Sequence, residues 1–433
     1  MSLSSSGCSK ETEDERIREE TVRKCFFAKN LQKGEEQMKR LLCITALCCF
    51  LSIPALAPLT DCFGKEPAAE GKTLKIGLIT SVTGPLAPAL KSMVDAAKPA
   101  EDLMNQRGGI SVSGQKYLVK IVTEDDQSSP PGAVAAANKL MQAGIKFIIA
   151  PQFMPNNLAI APLTEEAKVL RMKAMGWGKE EMGPNTRYNF YAHANIYNIP
   201  VCYDYLRKNY PKVKKIAIIT PDDPGGKSLR EVAEREMQKR GLEIVFQEAF
   251  TIGTEDFYPI LTKALEKKPE AIEMIIAIVP WAAGIINQSR ELGFTGPVFA
   301  PVLGDINILR AMLNPKYAND VFHGGADVLS PKMTQIIKDF RVLVEQQTKT
   351  TLNMDHTLVL EALYPLLQGI EKAQSFDTDK VVATMEKMKN IDTIYGPGKM
   401  GGEEMFGINH VIRRPLMLSR IMNGKVEFEF VKK

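Results

Sequence analysis

From Thr73 onward the chain repeats one pattern: a short β-rich apolar run, a turn, then a segment with apolar residues at helical spacing. "TLKIGLIT" leads to "LKSMVDAAKPAEDLMNQ", helical in period despite Pro99, and "RGGISVSG" is a turn. "KYLVKIVTEDD" leads to "PGAVAAANKLMQAG", closed by Gly144, and "IKFIIAP" to "LAIAPLTEEAK". Such alternation calls for a parallel sheet with helices on both faces. A second series starts after "HANIYNIP", with strands "KKIAIIT", "LEIVFQEAF", "AIEMIIAIV" and "GPVFAPV" separated by helical stretches. Two strand-first halves predict an α/β fold of two doubly wound parallel-sheet lobes rather than a barrel. Beyond "GGADVLSP" two helical stretches, "KMTQIIKDFRVLVEQQTK" and "HTLVLEALYPLLQGIEKAQ", run into the Gly-rich "YGPGKMGGEEMFG" and the strand-like "RRPLMLSRIMNGKVEFEFV".

Ahead of this body, "EEQMKRLLCITALCCFLSIPALAPLTDCFGKE" begins at Glu35. Its apolar run, residues 41–53, is about 13 residues long, whereas a membrane-spanning helix needs roughly 20. A basic pair, a short apolar run and a close near "ALA" have the layout of a signal peptide, expected over 38–64, with a core helix as the alternative. Ala55 and Ala57 suit a signal peptidase, although Pro58 would follow the cut. "LTDC" is a partial lipid-anchor box ending at Cys62, with Asp61 where a small residue is wanted, and cleavage after Gly64 also fits. Residues 1–37 are charged, mixed in sign and poor in core-forming side chains, as expected of an upstream extension or a disordered segment. Met38 is the expected initiator.

About 360 residues follow from Thr73, too many for one small core. A net charge of +4 on 433 residues leaves no nucleic-acid footprint. Six of the seven Cys lie at or before Cys62, so Cys202 has no disulfide partner in the body. Cys43, Cys48, Cys49 and Cys62 lack zinc-like spacing and His partners, and no metal is expected.

Motifs for chemistry fail one by one. "GPGKMG" matches G-x-G-x-x-G but lacks the helix that must follow, and reads as a hairpin turn. "GGKS" has Pro221 where a phosphate loop needs its first Gly, and Asp222 and Asp223 would repel phosphates. The four His show no metal or catalytic spacing, and no G-x-S-x-G elbow occurs. The expectation is a protein that is not an enzyme and carries no cofactor. Trp177 in "KAMGWGKEE" and Trp281 in "IIAIVPWAAG" stand out instead, one per half, each on a loop of the kind that meets ligands at the carboxyl ends of parallel strands.

The stretches "IGLITSVTGPLA" and "EDLMNQRGGISVSGQKYLVKIVTEDDQSSPPGAVAAANKLMQAGIKFIIAP" resemble the first lobe of type I periplasmic solute-binding proteins of the leucine/isoleucine/valine-binding family. "KKIAIITPDDPGGKSLREVAEREMQKRGLEIVFQEAFTIGTEDFYPILTKALEKKPEAI" resembles the second lobe, and the likeness runs from about Thr73 to the end. It implies two lobes joined by three crossings, near residues 193–199, 324–330 and 409–415. Lobe 1 would be 73–195 plus 331–408, and lobe 2 would be 196–330 plus 409–433. It further implies an exported, periplasmic or extracellular protein that closes on a small-molecule ligand and hands it to a membrane ABC permease and its ATPase. A sensor of the same fold reporting to a regulator is the first alternative, and an ordinary amino-acid-binding protein and a secreted Rossmann-type enzyme are the others.

Carried over by position, the ligand loops contain Met154, Pro155 and Asn156, then Gly176 and Trp177, with Ala89 ahead of the first helical stretch. From lobe 2 they contain Gly225, Trp281, Val302 and Asp305. These depart from the hydroxyl-and-acid pattern of amino-acid binders, since Val302 stands where the acidic residue is expected and Asp305 follows three residues on. The departure implies a ligand without an α-amino-acid head group, an aromatic or small apolar carboxylate held between Trp177 and Trp281, with an amide hydrogen bond from Asn156.

Overall fold

The computed structural model describes residues 72–176 and 178–431. The expected signal segment, the 1–37 extension and Trp177 lie outside the described residues.

The first pass of the chain is β1 (Lys72–Thr80), α1 (Ala87–Gln106), β2 (Ile110–Val112), β3 (Gln115–Asp125), α2 (Pro130–Gln142), β4 (Phe147–Ile149), α3 (Met154–Glu166), β5 (Leu170–Lys173) and β6 (Asn189–Tyr191). A 3-10 turn, Asn195–Tyr197, then leads into α4 (Asn198–Asn209) and β7 (Lys215–Pro221). There follow α5 (Pro224–Lys239), β8 (Glu243–Phe250), α6 (Tyr258–Glu266), β9 (Ala271–Glu273), β10 (Ile276–Ala277), α7 (Val279–Glu291), β11 (Val298–Ala300), β12 (Val302–Leu303), α8 (Ile306–Met312) and β13 (Val321–His323). The chain returns through α9 (Gln335–Thr348), α10 (Met354–Ala373), α11 (Thr378–Met385), β14 (Ile391–Thr393), β15 (Gly396–Gly401), α12 (Glu403–Phe406) and β16 (Val411–Arg413). It ends in the hairpin β17 (Met417–Met422) and β18 (Lys425–Phe430).

These strands form two large sheets. One has nine strands in the order β14-β15-β16-β6-β5-β4-β1-β3-β2, the other seven in the order β18-β17-β13-β11-β9-β7-β8. The inner strands β3, β1, β4, β5 and β6 run parallel, as do β8, β7, β9, β11 and β13, and the hairpins sit at the edges. Apolar runs such as "IGLIT" of β1 are buried because helices cover both faces. Leu78, Phe147 and Phe190 meet Met93 of α1 and Leu363 of α10 on one face. Ile79 and Ile148 meet Ala133 and Leu140 of α2 on the other. In the second lobe, Ile216 and Ile218 pack on Leu206 and Leu229, while Ile219 and Ile272 pack on Leu261 and Ile286.

Helix starts follow from local chemistry. Ser129 and Asp223 accept hydrogen bonds from the N–H of Gly132 and Gly226, and Pro130 and Pro224 occupy first-turn positions where no N–H is needed. Asn353 and His356 cap α10 reciprocally.

Two expectations shift. "GPGKMG" is the strand β15, paired antiparallel with β14 and β16, and the hairpin turn lies just before it at Ile394 and Tyr395. Val411–Arg413, grouped from sequence with the second lobe, hydrogen-bonds to β15 and β6 of the first sheet. The third crossing therefore occupies only the residues between Arg413 and Met417.

Candidate functional site between the lobes

The chain passes between the sheets three times: after β6, after β13 and after β16. The three crossings meet, and Gly324 makes this possible. A Cβ on Gly324 would lie 2.7 Å from Asn198 Cβ and 2.9 Å from the Pro301 carbonyl oxygen, so the second crossing runs against the first only without a side chain. Beside them is a cavity of about 20 Å³ walled by both lobes. That is room for about one water molecule. Met175, Met354 and Leu358 come from the first lobe, Val302 and Leu303 from the second, and Asn195, Asn198 and Arg414 from the crossings.

The polar groups here are mostly engaged. Arg414 Nε donates to Glu361 Oε1 at 2.7 Å, with both residues buried. The guanidinium also lies 4.5 Å from the centre of the Tyr395 ring, and the Tyr395 hydroxyl is 3.0 Å from Thr357 Oγ1. Burial pushes the Glu361 carboxyl up while Arg414 holds it down. A buried pair of this kind tolerates the loss of neither partner. His193 Nε2 lies 2.9 Å from Asn198 Oδ1, and burial holds His193 well below the usual imidazole range, hence neutral. Asn195 is different: it is fully buried and neither amide atom has a hydrogen-bond partner among the described residues.

Asp305 ties the lobes together. Its Oδ1 caps α8 by accepting from the N–H of Asn307 at 2.8 Å and Ile308 at 3.1 Å. Its Oδ2 accepts from the Met354 N–H at 2.9 Å, at the first residue of α10 in the other lobe. One carboxylate thus faces two helix N-termini, where negative charge is favoured. Nearby Asp355 is pushed up to about 7, first by burial and then by the charge of Asp305.

A second approach between the lobes lies at Gly178. A Cβ there would fall 1.8 Å from Ser228 Oγ and 2.9 Å from Ser228 Cβ, on the first turns of α5. The loop that carries Gly178 is anchored by a fully buried pair, Lys173 with Glu181. Glu181 also receives hydrogen bonds from Asn157 Nδ2 at 2.9 Å and the Tyr191 hydroxyl at 3.2 Å. Burial draws the Lys173 ammonium down from its ordinary range, and the Glu181 charge opposes this.

Of the ligand residues expected from sequence, Val302 lines the cavity, and Asp305 touches its wall at Met354. Met154 begins α3 and is buried, with Pro155 beside it. Asn156, also buried, donates from Nδ2 to Asp126 Oδ2 at 2.8 Å, and Asp126 in turn accepts from the Ser81 hydroxyl at 2.6 Å. It therefore joins α3 to the ends of β1 and β3 and stands away from the cavity. Gly176 bridges to Ala194, and a Cβ would lie 2.0 Å from the Tyr191 ring, so glycine is needed there for packing. Gly225 is buried in the first turn of α5, and Ala89 is exposed on α1. Trp281, in the first turn of α7, packs edge-on against Phe250, with ring centres 5.2 Å apart at 79°. The indole is held in the apolar packing of the second lobe and is not part of the cavity wall, because the helix begins at Val279 and turns the ring onto β8. Sequence reading missed Asn195, Glu361, Tyr395 and Arg414. The expected crossings 193–199 and 409–415 contain Asn195 and Arg414, and that was the available signal.

Among the described residues no helix is long and apolar enough to cross a membrane, and no group of His, Cys, Asp or Glu is placed to hold a metal ion. A Leu/Ile/Val-binding protein of Rhizobium johnstonii is 26% identical over 200 residues, covering 46% of this chain and 53% of the relative. The match thus spans about half of that relative's length. A leucine-binding protein structure from Thermotoga maritima superposes with a TM-score of 0.68 at 22% identity, covering 82% of this chain and 98% of that one. A solute-binding protein from R. palustris in complex with 4-hydroxybenzoate gives a TM-score of 0.67 at 19% identity, covering 83% and 96%. Both likenesses show the same two-lobed fold. The family model for periplasmic binding proteins matches residues 73–425, and the chain belongs to that family, whose members bind solutes and are not enzymes.

Proposed function

We propose that this protein is the extracytoplasmic solute-binding component of an ABC importer. Its lobes close on a small organic acid with a largely apolar body, which passes to a membrane permease and its ATPase. The observation that carries the reading is the cavity at the crossings, walled by both lobes. A solute that touches both lobes at once favours the closed arrangement over the open one.

The ligand class follows from what the polar groups already do. The Asp305 carboxylate accepts three backbone N–H bonds, which leaves it poorly placed to receive an ammonium. Arg414 supplies a cation beside the apolar Val302, Leu303 and Leu358. The R. palustris neighbour, crystallised with 4-hydroxybenzoate, supports an aromatic acid. A second reading, a zwitterionic amino acid, draws on Asp355 and on the Leu/Ile/Val-binding relative. Calorimetry with 4-hydroxybenzoate, benzoate, leucine and isoleucine separates the two. Binding of the aromatic acids with leucine and isoleucine inert is expected, and tight leucine binding with the acids inert overturns the proposed class. Deleting the gene should abolish uptake of the bound solute, and unchanged uptake would remove the transport assignment.

A further inference from the structure

The first crossing carries a buried polar group that finds no hydrogen-bond partner among the described residues. Asn195 is fully buried, and its backbone N–H donates to the Gly176 carbonyl oxygen at 3.0 Å. Its side chain borders the cavity, and neither Oδ1 nor Nδ2 is hydrogen-bonded to any described residue. Buried side-chain amides in native proteins are nearly always paired, because leaving them unpaired forfeits hydration without compensation. The neighbouring Asn198 behaves in the usual way, with Oδ1 held by His193. Arg414 is held by Glu361, and Tyr395 by Thr357. The other buried groups that lack partners, such as those of Thr80, Thr220 and His323, do not line this cavity.

An amide presents a donor and an acceptor side by side. A carboxylate can satisfy only the donor. A hydroxyl can satisfy either atom, because its oxygen both donates and accepts. With Arg414 as the cation for an acid group, the idle amide matches a second, hydroxyl-bearing end of the solute. We infer that Asn195 is a specificity-determining residue that pairs with a solute hydroxyl, so that the site selects hydroxylated acids over their unsubstituted analogues. This rests on the reading of the cavity as the solute site.

The test uses the full chain, with Asn195→Leu, close in shape but without the amide, and Asn195→Ala in case the leucine form does not fold. Calorimetry measures 4-hydroxybenzoate against benzoate, and thermal melting is followed without ligand. In the parent protein 4-hydroxybenzoate should bind at least about tenfold more tightly than benzoate, as sites with a dedicated hydrogen-bonding group discriminate. In Asn195→Leu the ratio should fall to about one. The ligand-free melting temperature should rise by about 2 °C or more, since an unpaired buried amide has been removed. A ratio unchanged by the substitution overturns the inference. So does a lower ligand-free melting temperature in Asn195→Leu, which would mean that a water in the cavity already satisfies the amide. If neither acid binds the parent protein, the proposed ligand class fails, and the melting comparison alone decides whether Asn195 stands idle.

Discussion

Replacing Gly178 with alanine should open the molecule without harming either lobe. The new Cβ would sit 1.8 Å from Ser228 Oγ and 2.9 Å from Ser228 Cβ. The hydroxyl can rotate away, but the Cβ is fixed to α5 and cannot. Where the lobes stand apart, the alanine methyl no longer meets Ser228. Overpacking of this kind costs about 1–3 kcal/mol, which lowers the ratio of closed to open molecules by roughly 5- to 150-fold. Small-angle scattering of the ligand-free protein should register a larger radius of gyration for Gly178→Ala. Adding Ser228→Gly should restore the parent value, in the manner of a double-mutant cycle. Scattering indistinguishable from the parent in the single variant would refute the reasoning, because it would mean that the close approach of Gly178 to Ser228 is not the resting arrangement.

Glu273 gives a pH signature. It is fully buried, its carboxylate accepts from the Tyr203 hydroxyl at 2.9 Å and from no other group among the described residues, and burial raises its carboxyl from 4.5 to about 8. The folded value exceeds the unfolded one, so its contribution is complete below about pH 4.5 and is lost as pH climbs through about 8, at up to about 1.4 kcal/mol per pH unit. Glu273→Gln should flatten that decline and melt higher than the parent near pH 8 in a thermal titration, and equal slopes would contradict it. Asp305→Ala should lower stability to urea by about 2–4 kcal/mol, combining a lost helix cap with a lost charge-assisted bond to Met354. A shift below about 0.5 kcal/mol would show that Asp305 does not clasp the lobes.

The sheets were legible in the sequence because burial on two faces writes continuous apolar runs, and amphipathic helices write a period of 3.6 between them. Even "LKSMVDAAKPAEDLMNQ" reads correctly, since Pro99 interrupts hydrogen bonding but not the apolar stripe of α1. The cavity was not legible. Asn195, Glu361, Tyr395 and Arg414 come from four separated segments, and none belongs to a motif with fixed spacing. Trp281 shows why sequence alone leaves such a position open: a large aromatic residue at a strand-to-helix junction has the same sequence appearance whether its ring turns to solvent, to a ligand or, as here, onto Phe250. Asn156 likewise looked available, yet its amide donates to a buried carboxylate thirty residues upstream, Asp126.

The last crossing bears on how the chain can be made. β14 to β16 finish the edge of the first sheet, and β17 and β18 finish the edge of the second, all within residues 391–430. Neither sheet can be completed while its C-terminal segment is still being synthesised. Strand partners such as Tyr191 with Val411, or Val321 with Ile421, must wait for the end of the chain. Long-range pairings of this sort fold slowly. A nascent polypeptide of this topology therefore leaves both sheet edges open until residues 391–430 have been made.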